Sequence, residues 1–123
     1  MTEPCPFCEI IAGRAPAEWV VPPDHWPDAV AFRPLNPVTE GHTLIVPKEH
    51  VPDFGTDPEV YAAVSRRAAQ LMRWSPGIPM NVITSRGVEA TQSVFHLHVH
   101  LVPRREDDGL ALPWYSGKKR RKH

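Results

Sequence analysis

Three of the chain's seven histidines stand at alternate positions in His96-Leu97-His98-Val99-His100. In an extended strand, alternate side chains share a face. The spacing therefore predicts three imidazoles on one surface, with Leu97, Val99 and Leu101 turned to the core. Such a row admits three readings. The plainest is a polar sheet face that carries histidines by accident of composition. A second is a histidine-only metal face, as in catalytic zinc sites. The third is nucleophilic catalysis, because an imidazole with an ordinary pKa near 6.5 is a usable nucleophile at neutral pH. Its neighbours would then set its tautomer and assist a leaving group.

A second group lies at the start of the chain. Both cysteines fall in Cys5-Pro6-Phe7-Cys8. Two cysteines cannot make a disulfide scaffold, and C-x-x-C spacing suits a metal or a redox pair. No βαβ pattern follows, which weighs against a thioredoxin-like pair. The alternative is two reduced cysteines packed as small apolar residues.

The elements that must position these residues can be read from periodicity and punctuation. Residues 6–12 form one or two helical turns stopped by Gly13. Residues 18–21, 29–33, 41–47, 80–85 and 94–102 are strand candidates, several ended by proline. Residues 57–74 form the one long helix. Asp57 caps it, Pro58 suits its first position, and Val60, Val64, Ala68 and Leu71 recur at helical spacing. Residues 85–90 read as a polar loop. The resulting class is α+β: a five-stranded antiparallel sheet with one long and one short helix.

The 123 residues suit one domain, taken as 1–116, followed by a basic tail at 117–123. Lys+Arg and Asp+Glu balance at 14 each, so the body has no general pull on nucleic acid or acidic membranes. Nucleic acid enters only as a weak contact of the tail. No apolar run is long enough for a transmembrane helix, and the first residues lack the pattern of a secretory signal. Both point to the cytoplasm. The fifteen prolines fall mostly between elements and predict rigid turns.

The stretch Asn81 to Arg104, with Gln92-Ser93-Val94-Phe95-His96-Leu97-His98-Val99-His100-Leu101-Val102, resembles the signature of the histidine-triad (HIT) superfamily. Cys5 to Gly13 is similar to that family's N-terminal segment. Asn36-Pro37 followed by Gly41 to His50 is similar to its central strand. The resemblance spans roughly residues 5–104 and implies a small nucleotide-binding hydrolase, acting on purine nucleotides as a homodimer. It implies that His98 attacks the α-phosphorus to give a nucleotidylated intermediate. His100 would contact the phosphate and the departing group, with Ser93 and Gln92 beside them. Asn81 would lie near the same pocket and His42 would pack against the triad. It also implies a structural zinc held by Cys5, Cys8, His50 and His96, with His25 the less suited fourth ligand. The zinc would orient His96. The rival enzyme is a dinucleoside polyphosphate hydrolase, and the rival class is a nucleotide-binding or scaffold protein with vestigial catalysis. An adenylate-removing module acting on nucleic-acid ends would need a larger appendage.

Three positions depart from the family pattern. Pro34 replaces the ribose-binding Asp, which leaves Asn36 to do part of that work. Thr91 replaces a Gly, and Ser85 replaces a second Asn.

Overall fold

The computed structural model describes residues 5–118. Its elements are α1 (Pro6–Ile11), β1 (Trp19–Val21), β2 (Ala29–Phe32), β3 (Thr43–Pro47), α2 (Pro58–Met72), β4 (Met80–Ile83) and β5 (Val99–Pro103), with a 3₁₀ turn at Val88–Ala90. The strands form one antiparallel sheet in the order β1-β2-β3-β5-β4. The α+β class and the five strands agree with the sequence reading. The 3₁₀ turn falls in the expected polar loop and was not anticipated.

Local chemistry explains both helices. The Asp57 carboxylate accepts from the backbone N–H groups of Glu59 (3.0 Å) and Val60 (3.4 Å), and Pro58 opens α2 without losing a needed donor. Val64, Ala68 and Leu71 are the buried stripe of α2. They pack on Ala29, Ala31, Ile45, Val99 and Leu101, one face of the sheet. The other face carries Val30, Phe32, Leu44 and Val46, and α1 covers it through Phe7. The short α1 begins at Cys5, whose thiol accepts from the Cys8 backbone N–H at 3.2 Å. Gly13 closes α1 at φ 79°, donating to the Ile10 carbonyl.

The predicted strand 94–102 is corrected. Pairing begins only at Val99, opposite Ile45, and residues 93–98 form an irregular turn. The partner groups that would extend the ladder are already used. Pro47 has no N–H to give, and its carbonyl accepts from the His96 ring at 2.8 Å. Leu97 N–H turns aside to the Val51 carbonyl (2.7 Å), and the His98 carbonyl accepts from the Thr84 hydroxyl (2.8 Å). Only His100 of the triad therefore lies in a strand.

The end of the domain also differs from the sequence reading. Gly117, grouped there with the tail, is buried, and its carbonyl accepts from Gly109 N–H at 2.8 Å. Arg104 clamps this loop with a buried ion pair to Asp108 (2.7 Å) and a bond to the Leu110 carbonyl (2.6 Å). The rest of the basic tail, residues 119–123, lies outside the described residues.

Thr91 sits at φ 73°, ψ 19°, left-handed backbone that a β-branched residue adopts only under strain. A glycine would adopt it without that strain. Thr91→Gly is expected to stabilise the chain by about 1 kcal/mol, as relief of strain outweighs the added freedom of the unfolded chain. Urea unfolding checks this; an unchanged or lowered midpoint would contradict it.

Candidate active site and metal centre

The turn before β5 divides the histidines between two sites that share a backbone. His98 and His100 have ring centroids 5.1 Å apart, and His100 and His42 are 5.2 Å apart. His96 is instead fully buried and pairs with His50, 4.8 Å ring to ring. Phe7 stands between the groups, perpendicular to His98 (5.0 Å, 87°) and edge-on to His96 (6.1 Å, 71°). The expectation of three imidazoles on one open face is thus corrected. Irregular backbone turns His96 inward, and only His98 and His100 stay together.

The hydrogen bonds assign tautomers from partners whose roles are unambiguous. His98 Nδ1 lies 2.8 Å from the His96 carbonyl, which can only accept. Nδ1 therefore carries the proton and Nε2 the lone pair. The Val38 backbone N–H can only donate, and it meets His42 Nδ1 at 3.1 Å. His42 must then carry its proton on Nε2, which faces His100 Nδ1 at 2.9 Å. That leaves His100 with its proton on Nε2. A nucleophilic nitrogen on His98 and an N–H donor on His100 thus sit on adjacent rings.

Burial pushes all three imidazoles below their usual pKa. His100 falls to about 4 through burial and then through its neighbours His98 and His42. His98 falls through burial, partly offset by the His96 carbonyl, and His42 falls through burial and the Arg33 charge. Neutral rings at pH 7 fit the deduced tautomers.

The other proposed substrate contacts differ in placement. On β5, His100 is opposite Ile83 of β4, and Asn81 is opposite Val102. Asn81 therefore shares the His100 face, two pairs further along. Its Oδ1 accepts from Arg104 at 2.6 Å. Ser93 and Asn36 are exposed. Gln92 is buried and used as a staple: Oε1 accepts from Gly87 N–H (2.8 Å), and Nε2 donates to the carbonyls of Pro52 (2.6 Å) and Val94 (3.1 Å). Its amide shapes the loop that carries Ser93. Sequence reasoning missed Phe7 and Thr84 as neighbours of His98. Phe7 looked like an ordinary core residue, and no local signal marks a contact across 91 positions. A cavity of about 490 Å³ lined by Leu71, Trp74, Ile78 and Met80 contains none of the histidines.

Cys5, Cys8, His50 and His96 bring four ligand atoms within 4.8 Å of one another. His50 Nδ1 and His96 Nδ1 are 3.0 Å apart. The Cys5 and Cys8 thiols lie 3.4 and 3.5 Å from His96 Nδ1, and Cys8 is 3.3 Å from His50 Nδ1. A tetrahedral zinc with bonds of about 2.0–2.3 Å needs ligand spacings of about 3.3–3.8 Å, which the three thiol–imidazole distances meet while the imidazole pair is slightly closer. His96 directs Nδ1 at the cluster because its Nε2–H is given to Pro47, the outer-shell bond typical of a metal-bound histidine. With protein groups alone, partial burial and the adjacent Cys5 push the Cys8 thiol up to about 11. A divalent cation held there would supply the charge that makes thiolates favourable. The residues fit a closed Cys₂His₂ centre. His25 is exposed and bonds Asp24 instead.

This fold and site define a small α+β protein with a paired-imidazole site joined to a Cys₂His₂ cluster. The HIT domain matches residues 24–107, and the chain belongs to the histidine-triad family. It is 36% identical to Protein hit of Bacillus subtilis over 118 residues, covering 91% of this chain and 79% of that protein. It is 33% identical to Adenylylsulfatase HINT3 of Arabidopsis thaliana, covering 95% of this chain and 59% of that protein. The structure of a zinc-bound histidine-triad family protein from Mycobacterium smegmatis superposes with a TM-score of 0.69 at 37% identity, covering 82% of this chain and 75% of that one.

The depressed histidines link stability to pH. Between about 6.5 and 4 the unfolded chain binds protons that folded His100 refuses. The contribution of His100 to stability is therefore full above pH 6.5 and is lost as pH falls through that window. His100→Gln should flatten this slope in urea unfolding measured from pH 7.5 to 4.5. A slope unchanged by the substitution would contradict the assignment.

Proposed function

We propose that this protein is a hydrolase of nucleoside 5′-phosphate derivatives, phosphoramidates among them, that works through a nucleotidyl-His98 intermediate. The observation that carries the reading is the tautomer pair: a lone pair on His98 Nε2 beside an N–H on His100 Nε2. His98 Nε2 attacks the α-phosphorus. The bond to the leaving group breaks, and the departing atom takes its electron pair and the proton that His100 Nε2 carries. The positive charge that develops on His98 is shared with the His96 carbonyl through Nδ1–H. Water then attacks the phosphorus and gives one proton back to His100 Nε2, and His98 leaves as the neutral imidazole. Ser93 and Asn81 are assigned to the phosphate side, and Asn36 to the sugar of a purine nucleotide. Gln92 acts through the loop it holds. A relative named as an adenylylsulfatase supports hydrolysis of an adenylyl compound. Among the described residues no carboxylate is hydrogen-bonded to His42, His98 or His100, and such a neutral site suits phosphoryl transfer by positioning and charge stabilisation.

Zinc in the Cys5, Cys8, His50 and His96 set would be structural, because four protein ligands leave no open position. It would pin α1 to the sheet. Edge strand β4 exposes Val82 and Ile83, and the nearby Trp74 is 66% exposed. These apolar edges support a homodimer paired along β4. Among the described residues, no helix is long and apolar enough to cross a membrane. The cytoplasm remains the proposed compartment.

Single-turnover cleavage of adenosine 5′-phosphoramidate should yield an AMP adduct in the wild type. His98→Ala should lower turnover by about ten-thousandfold or more and abolish the adduct. Nucleotide binding without turnover would instead favour the binding-protein reading. Chelation should release stoichiometric zinc and lower the melting temperature, and Cys8→Ser should melt low with no further response to chelator. Metal-free protein whose melting ignores chelators would rule out the zinc.

A further inference from the structure

His98 must present Nε2 along one line to a phosphorus atom. Its Nδ1–H bond to the His96 carbonyl restrains the ring at one edge. A single bond is a pivot and still permits tilting about its axis. The second restraint is the Phe7 ring, whose plane stands at 87° to His98 with centroids 5.0 Å apart. Edge-to-face contact is a favoured aromatic geometry, and a close-packed ring blocks rotation on that side. Phe7 is itself held edge-on to Phe32 at 5.5 Å and is only 8% exposed. His100 stands on a further side of His98, at 65°.

Phe7 is carried by a weak element. The helix α1 has six residues, too few to be stable alone. Beyond the packing of Phe7, Ile10 and Ile11 on the sheet, anchorage is available from the two residues that bracket Phe7 in sequence. Cys5 and Cys8 both point into the cluster with His50 and His96. The residue that packs on the reacting histidine is thus set between two cysteines whose ligation would fix its backbone. His96 closes the circuit, because its ring joins the cluster while its carbonyl holds His98.

We infer that Phe7 is a positioning residue for His98, and that the Cys₂His₂ cluster controls the nucleophile by holding Phe7 in place. The inference rests on the nucleotidyl-His98 reading for its kinetic consequence and on geometry alone for its structural one. Phe7 packs edge-to-face on the His98 ring and narrows its orientations. Without the metal these residues would hold, His98 would loosen through two routes, the released α1 and the released His96 backbone.

The test uses the full chain with its metal and the variant Phe7→Leu, which keeps an apolar side chain in the core but removes the flat ring. Zinc content and melting report whether α1 stays docked. Nitrogen-15 NMR of the histidines at pH 7.5 reports the His98 tautomer and its exchange. Single-turnover nucleotidylation by adenosine 5′-phosphoramidate reports the rate. The expected result is full zinc content, little change in KM, a rate about 10- to 100-fold lower, and a His98 signal broadened between tautomers. Adding Phe7→Leu to Cys8→Ser should cost less than the product of the two single losses, because both act on one ring. An unchanged rate with an unchanged His98 signal would overturn the inference, and so would a loss confined to KM, which would make Phe7 a wall of the binding pocket. If Phe7→Leu loses zinc, Phe7→Met replaces it with the same readouts. If the wild type turns over no nucleotide derivative, the functional reading fails, and the NMR comparison still decides the role of Phe7.

Discussion

The hydrogen bond from His98 Nδ1–H to the carbonyl of His96 orders much of what surrounds it. It sets which nitrogen of His98 is free. It also requires the backbone at 96–98 to leave the extended conformation, since a strand would aim that carbonyl at a neighbouring strand. Pro47 makes the departure inexpensive by offering no N–H to the next ladder position. The Pro47 carbonyl, freed from pairing, receives the His96 ring, and that ring turns into the cysteine cluster. One interrupted ladder thus separates a chemical histidine from a ligand histidine two residues away.

The histidines on the open side form a relay that starts at a backbone donor. Val38 N–H orients His42, His42 orients His100, and each ring is neutral. Burial keeps them so, because a charged imidazole would lose its hydration without gaining an anionic partner. No acidic residue is hydrogen-bonded to these three rings among the described residues. The arrangement favours fixed dipoles over titrating charges, which suits stabilisation of a phosphoryl group already carrying negative charge.

Around this centre the remaining elements act as supports of differing rigidity. The long α2 is capped, amphipathic and packed on β3 and β5, and it keeps the buried side of the sheet flat against one core. The Arg104–Asp108 pair holds the last loop and meets Asn81 with a second nitrogen, so the same guanidinium ties chain end to site face. The strained Thr91 and the buried Gln92 define a loop held by side-chain bonds rather than by a ladder. The site lies between these supports, where backbone regularity gives way.

Most of the fold was legible in the residues themselves. Helix caps, the apolar stripe of α2, the proline stops and the alternation at 99–102 are local signals, and local sterics and capping bonds decide them. The cysteine spacing and the histidine row likewise marked which side chains carry chemistry, since few residue types bind metals or attack phosphorus. Tertiary structure decided how those side chains divide. Whether His96 faces His98 or the cysteines depends on what Pro47, Val51 and Thr84 offer from distant strands and loops. The contact of Phe7 with His98, the commitment of Gln92 to its own loop and the inclusion of Gly117 in the domain are likewise long-range. Hydrogen-bond competition and close packing act between segments far apart in sequence, and no periodicity within one segment records their outcome.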